Sequence, residues 1–177
     1  MIVVDEGIHD IDWDAEADLV GISTITGTAL RSYELADHFR KRGVPVVLGG
    51  VHPTLVPDEA TRHADCVVVG YAEETWPQLL RDHIIGEGMK KMYVQGHDLS
   101  LAGRPPPKRE MLPGAKFATM HTIEATRGCI HGCEFCVVPA AWGRPLQKPF
   151  AEVVADIEQM GARRLIFLDL NLIVWFR

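Results

Sequence analysis

The chain has 177 residues, of which 47% are hydrophobic, and a net charge of −6. This length holds one ordinary domain or two small or incomplete ones, with ample apolar content for a packed core. The acidic balance argues against a general nucleic-acid binder, whose affinity rests on a basic face; apart from short runs such as RPPPKR at 104–109, basic residues are dispersed.

No apolar run reaches the roughly 18 residues that a membrane span needs. The start, MIVVDEGIHD, lacks the basic and then apolar order of a secretory signal. Of the four cysteines, three lie together and Cys66 sits alone in an apolar run, which is not a disulfide framework. A reduced, cytoplasmic chain with one metal site is expected.

Residues 1–83 alternate strand and helix signals. IVVDE reads as a first strand. DLVGIST (18–24), VPVVLGG (44–50) and DCVVVG (65–70) are short apolar runs interrupted or closed by Gly, as buried parallel strands often are. Between the first two of these, Leu30, Tyr33, Ala36 and Phe39 recur as a helical stripe that stops at Gly43. PDEATRHA places Pro57 at the first position of a shorter helix, and EETWPQLLRD reads as a third. This order predicts an α/β fold with a doubly wound parallel sheet, in which ligands sit at the carboxyl ends of strands. No helix and strand precede IVVDE, so the sheet is expected to be incomplete at its N-terminal side.

Residues 84–96 read as a hairpin or a trailing strand, and the proline-rich, aperiodic stretch 97–118 as a linker. From 119 to 177 come a strand (ATMHTIEAT), a cysteine loop, the helix KPFAEVVADIEQMG and the strand RRLIFLDLNLI. Phe150, Val153, Val154, Ile157 and Met160 share one face of that helix, and Gly161 ends it. One such unit is too small to close a core. With VWFR ending the chain on apolar side chains, the sequence reads as truncated at both ends.

Cys129, Cys133 and Cys136 stand in RGCIHGCEFC, spaced x3 and then x2. Thiolates select zinc or iron–sulfur clusters. Three on one loop can each bind a different iron of a cubane, with Gly128 and Gly132 letting the backbone fold around it. Cys66 is read as a packed core cysteine. A fourth ligand is then missing, and one iron is left open. A Cys3His zinc site using His131 or His121, and an ordinary electron-transfer cluster, are other readings of the same residues.

CxxxCxxC with an aromatic before its last cysteine, directly after a strand, resembles the radical SAM superfamily. The resemblance implies a [4Fe–4S] cluster on Cys129, Cys133 and Cys136 at the mouth of a partial (β/α) barrel. Its open iron binds S-adenosylmethionine (SAM), which is cleaved to methionine and a 5′-deoxyadenosyl radical. Phe135 matches the aromatic near the adenine. Asp169 and Asn171 fall where that family places polar groups for the SAM amino group or ribose; an ordinary polar strand end is the plain alternative. Arg127 is read either as electrostatic support for cluster or SAM, or as a surface arginine.

VGISTIT, VVLGGVHP and VVVGYAEETWPQLL, in that order, resemble the flavodoxin-like cobalamin-binding domain found ahead of radical SAM cores. By position, Ser23 and Thr24, then Gly49 and Gly50, then Gly70 with Glu73, match the cobalamin-contacting edge. Small residues at strand ends let a large ring or its nucleotide tail approach the backbone. The Asp-x-His-x-x-Gly motif that supplies a lower axial histidine in other cobalamin carriers is absent. His52 is read as a group near the ligand rather than on cobalt.

Together the resemblances imply a cobalamin-dependent radical SAM C-methyltransferase, with a second SAM remethylating the cobalamin. A radical SAM cyclase or oxidoreductase that transfers no methyl is the neighbouring reading, and a non-catalytic zinc or iron–sulfur module the reading from another class. A tRNA methylthiotransferase fits less well, because those enzymes place a cluster-binding domain first. The implied partners are a small-molecule substrate, such as a tetrapyrrole or lipid, and an external electron donor such as flavodoxin or ferredoxin. With about two barrel strands present, the chain alone is expected to be inactive.

Overall fold

The computed structural model describes residues 1–86, 88–96, 98–111 and 121–172. These fall into two compact units, one of residues 13–99 with 140–142, the other of 1–12, 100–139 and 143–177.

The first unit is built on four parallel strands, β1 (Val20–Ser23), β2 (Val46–Gly49), β3 (Cys66–Gly70) and β4 (Met92–Gln95), adjacent in chain order. Successive side chains of a strand point to opposite faces, and the two hydrophobic clusters follow that alternation. Val46, Leu48 and Val67 pack with Tyr33, Ala36 and Phe39 of α1 (Ala29–Lys41). Val47, Cys66 and Val68 pack with Leu79 of the helix after β3. Helices therefore cover both faces, and the doubly wound α/β arrangement expected from the sequence is present.

Several local expectations need correction. Leu30 is 85% exposed. A strict three-residue spacing drifts ~60° per step on a helix, so Leu30 and Phe39 lie ~180° apart. The buried face instead takes in Ala29, Ser32, Tyr33, Leu35, Ala36 and Phe39. A short helix absent from the sequence reading, α2 (Val51–Leu55), follows β2 directly, and Pro57 then opens α3 (Pro57–Ala60) as foreseen. The next helix, α4 (Thr75–Ile85), runs to a left-handed Gly86. Of the two readings of residues 84–96, the trailing strand forms, since β4 pairs in parallel with β3 from Val67↔Met92 to Gly70↔Gln95. Residues 140–142 end the short helix α5 (Val138–Trp142); Trp142 stacks on Tyr71 with ring centroids 5.1 Å apart.

In the second unit β5 (Thr122–Ile123) pairs in parallel with β8 (Ile166–Phe167), and β6 (Thr126–Arg127) pairs antiparallel with β7 (Leu146–Gln147). Between β7 and β8 runs α6 (Phe150–Met160), closed by a left-handed Gly161. Val153 is its buried residue, whereas Phe150 is 82% exposed. As the first helical residue, Phe150 directs its side chain back past the helix start, where no turn lies beneath it. IVVDE does not form a strand; Ile2, Val3 and Val4 are exposed, and no described strand pairs with them. Residues 118–120 of the expected strand and the VWFR end lie outside the described residues.

The stretch read as a linker is anchored. Arg109 forms a two-pronged ion pair with Asp156 of α6, at 2.9 and 3.1 Å, and donates to the Thr122 carbonyl at 2.7 Å. Glu152 accepts the Gly103 N–H through both carboxylate oxygens, at 3.1 and 3.0 Å. Among the described residues of this stretch the one regular element is a 3-10 turn, Arg109–Met111; proline content signalled that sparseness, but not these side-chain ties. Among the described residues, no helix is long and apolar enough to cross a membrane.

Candidate functional site

At the carboxyl edge of the sheet the chain leaves β1 through Ser23 and Thr24, and β2 through Gly49 and Gly50. The Thr24 N–H donates to the Gly49 carbonyl at 2.8 Å, and the His52 N–H donates to the Thr24 carbonyl at 3.1 Å. Gly50 adopts φ +100°, and a Cβ there would lie 2.7 Å from the Thr24 carbonyl oxygen. That contact excludes any other residue without moving backbone. Gly70, at φ +79°, would clash in the same way with the Gln95 carbonyl. Thr54 joins the two glycines: its hydroxyl donates to the Gly50 carbonyl at 2.8 Å and accepts the Gly70 N–H at 3.0 Å. Five of the residues singled out from sequence, Ser23, Thr24, Gly49, Gly50 and Gly70, thus line one edge. Glu73 follows in the turn after β3.

Two buried polar atoms at these strand ends have no hydrogen-bond partner among the described residues, the Thr24 hydroxyl and the Gln95 Nε2. The Gln95 Oε1 already accepts the Glu74 N–H at 3.1 Å, so its amide nitrogen is a committed donor. Orphaned donors and acceptors beside glycines that admit no side chain suit a polar, carboxamide-rich ligand. The residues present therefore fit a cobalamin. Thr54 and Gln95 were missed from sequence; a Thr inside a short helix and a Gln at a strand end carry no pattern of their own.

His52 is not directed at that edge. It is buried, with Nδ1 3.2 Å from the Thr26 hydroxyl and Nε2 3.1 Å from the Tyr33 hydroxyl. Glu59 lies 3.5 Å from Nε2. Burial, with the Glu59 carboxylate beside it, pushes the Tyr33 hydroxyl up to about 12, and the Tyr33 hydrogen bond holds Glu59 below the usual carboxylate range. Cys66 is fully buried, and desolvation reinforced by Asp65 raises its thiol to about 12. It is a core residue rather than a ligand.

The cysteine loop of the second unit begins where β6 ends. Gly128 takes φ +90°, with Pro145 beside the position of a Cβ. The loop then turns at Cys133–Cys136, where the Cys136 N–H donates to the Cys133 carbonyl at 3.0 Å. All three thiols are free; Cys133 is exposed, and Cys129 and Cys136 are half-buried. Among the described residues no three His, Cys, Asp or Glu side chains gather around one point as a single ion requires. A cubane instead takes each thiolate on a different iron. Three reachable thiols on one tight loop are a donor set of the kind that an iron–sulfur cluster takes.

Around the loop the polar residues are engaged. The Asp169 carboxylate accepts the N–H groups of Ala125 and Thr126 and, at 2.7 Å, the Thr126 hydroxyl. That hydroxyl also lies 2.8 Å from the Asn171 carbonyl. Asn171 Nδ2 reaches the Cys129 sulfur at 3.9 Å, and the His131 N–H reaches the same atom at 3.5 Å. Arg127 forms a two-pronged pair with Glu124, at 3.0 and 2.8 Å. Phe135 stands 91% exposed on the loop.

Comparison with known proteins places these features. The family model of the B12 binding domain matches residues 8–80. The bacteriochlorophyllide d C-8(2)-methyltransferase of Chlorobaculum tepidum is 40% identical over 152 residues, 80% of this chain and 33% of that protein. The bacteriochlorophyllide d C-12(1)-methyltransferase of the same organism is 32% identical over 166 residues, 88% of this chain and 36% of that protein. An uncharacterized methyltransferase of Synechocystis is 25% identical over 174 residues, 94% of this chain and 32% of that protein. The chain thus spans about a third of the length of the curated relatives it matches. The matched stretch contains the strand-end edge from Ser23 to Gly70, so residues 8–80 of this chain are a B12 binding domain by that match.

Proposed function

We propose that this chain provides the cofactor-binding parts of a cobalamin-dependent radical SAM methyltransferase whose substrate is a chlorophyll-type tetrapyrrole. The observation that carries the reading is the pairing, in one chain, of a B12-binding domain with a loop of three free thiols spaced x3 and x2. Relatives named as bacteriochlorophyllide methyltransferases align over both parts and supply the substrate class.

When bound, the cluster and SAM supply a carbon-centred radical, and cobalamin carries the methyl group. The chain's own residues bind and orient. Gly50 and Gly70 let the backbone of Thr24 and Gln95 pack close, which shapes the edge a ligand would meet, and the Thr24 hydroxyl and Gln95 amide are the unpaired polar groups buried there. Cys129, Cys133 and Cys136 would hold the cluster through their free thiols. Asp169 ties the strand before the loop to the segment after β8, which fixes where the loop starts. Phe135 offers an exposed ring for an adenine. An external one-electron donor such as flavodoxin or ferredoxin completes the system.

Anaerobic reconstitution with iron and sulfide, followed by hydroxocobalamin and gel filtration, tests the reading. The expected product is brown, with broad absorbance near roughly 400 nm, and retains cobalamin. A colourless protein holding one zinc, or loss of all cobalamin on the column, overturns it. SAM cleavage by the isolated chain is expected to be very slow.

A further inference from the structure

We infer that Asn171 is a positioning residue for the iron–sulfur site, acting through the sulfur of Cys129 and thereby setting how readily the cluster is reduced. The inference rests on the cluster reading above and assigns Asn171 a target other than SAM. Its carboxamide Nδ2 lies 3.9 Å from the Cys129 sulfur, within range of a hydrogen bond to sulfur. The placement is not incidental to a loose segment. The hydroxyl of Thr126, three residues before Cys129, lies 2.8 Å from the Asn171 carbonyl and 2.7 Å from the Asp169 carboxylate and shares its one proton between them. Asp169, two residues before Asn171, accepts the Ala125 and Thr126 N–H groups. Backbone at both ends of the contact is therefore cross-tied, and Asn171 is presented to Cys129 by a fixed frame.

A thiolate that ligates iron carries negative charge, and that charge grows when the cluster gains an electron. A donor aimed at the sulfur stabilises the reduced state more than the oxidised one and raises the potential. The His131 N–H, 3.5 Å from the same sulfur, acts in the same sense but comes from the loop backbone, so the Asn171 variants leave it in place. A carboxamide suits the position because it donates without charge. A carboxylate there would oppose the thiolate and disfavour reduction.

The test is a redox titration of the full chain, reconstituted anaerobically with iron and sulfide and kept free of SAM. The wild type is compared with Asn171→Leu, Asn171→Asp and Asn171→His. Loss of the donor in Asn171→Leu is expected to lower the midpoint by about a tenfold change in the reduction equilibrium, ~59 mV for one electron. Asn171→Asp should fall further. Asn171→His, whose Nδ1–H has similar reach, should return towards the wild-type value, which a purely structural role for the side chain does not predict.

Equal midpoints for wild type and Asn171→Leu at equal iron content overturn the inference. So does an effect of Asn171→Leu that emerges only after SAM is added, which would put the carboxamide on SAM instead. A wild-type chain that takes up no cluster overturns the function proposed above, and is told apart by its iron content. If Asn171→Leu loads poorly, the contrast between Asn171→Asp and Asn171→His decides, and equal midpoints in those two overturn the inference.

Discussion

In the unit of residues 13–99 apolar side chains pack both faces of the sheet: Val46, Leu48 and Val67 on one side, Val47, Val68 and Leu79 on the other. In the unit that carries the cysteines, two-residue strands are joined by carboxylates and a guanidinium: Asp169 on the backbone of Ala125 and Thr126, Arg109 on Asp156, Glu152 on Gly103. A four-stranded ladder presents two broad faces, each able to bury apolar side chains against helices. Two paired stubs do not, and side-chain bonds to backbone take over. Apolar packing tolerates change of shape within limits. A bonded polar frame fails when one partner is removed, because the other is left buried and unpaired.

The sharpest way to break this contrast is Arg109→Ala. It strands Asp156 and the Thr122 carbonyl, and is expected to cost about 3–5 kcal/mol of local stability, read as faster hydrogen exchange across residues 121–127 and 150–160. Replacing both partners, as Arg109→Met with Asp156→Leu, should restore most of the loss. If Arg109→Ala changes exchange by less than about fivefold, the polar frame is not what holds this unit. In the other unit Leu48→Ala removes a fully buried side chain and is expected to cost about 3 kcal/mol, seen as a lower denaturation midpoint for the 13–99 region. Exchange in the cysteine unit should stay as it was.

The smallest effect is a pH dependence confined to the first unit. Cys66 and Tyr33 are raised from 9.0 and 10.0 to about 12 in the fold. The folded state then holds protons that the unfolded chain has released. The stability linked to each is complete below its unfolded value and is lost as pH rises towards 12. The denaturation midpoint of this unit should fall from about pH 9 upwards, and Cys66→Ala should delay that fall to about pH 10. A midpoint indifferent to pH in this range contradicts the burial argument for both groups.

Much of this was legible before the structure. The β-α alternation declared the sheet because Gly punctuates each apolar run. The cysteine spacing marked one loop with three thiols in eight positions, and the thiols are free on a single tight turn. What escaped was interaction between side chains distant in sequence. Nothing in RPPPKR announces that its last arginine reaches α6, and nothing in GGVHPTLV announces that Thr54 bridges two glycines or that His52 turns inward. Leu30 was misjudged because a three-residue spacing drifts around the helix, and Phe150 because a residue at the helix start has no preceding turn to cover. IVVDE has every mark of strand propensity yet pairs with no described strand, and propensity alone does not supply a partner.

The order of strands in the sheet is the order of strands in the chain. During synthesis each new strand leaves the ribosome when its neighbour is already laid down, so the sheet can zip from one side without waiting for a distant segment. Assembly from β1 to β4 is then vectorial, and the glycine-lined rim is ready once Gly70 has docked, before the cysteine loop has been made.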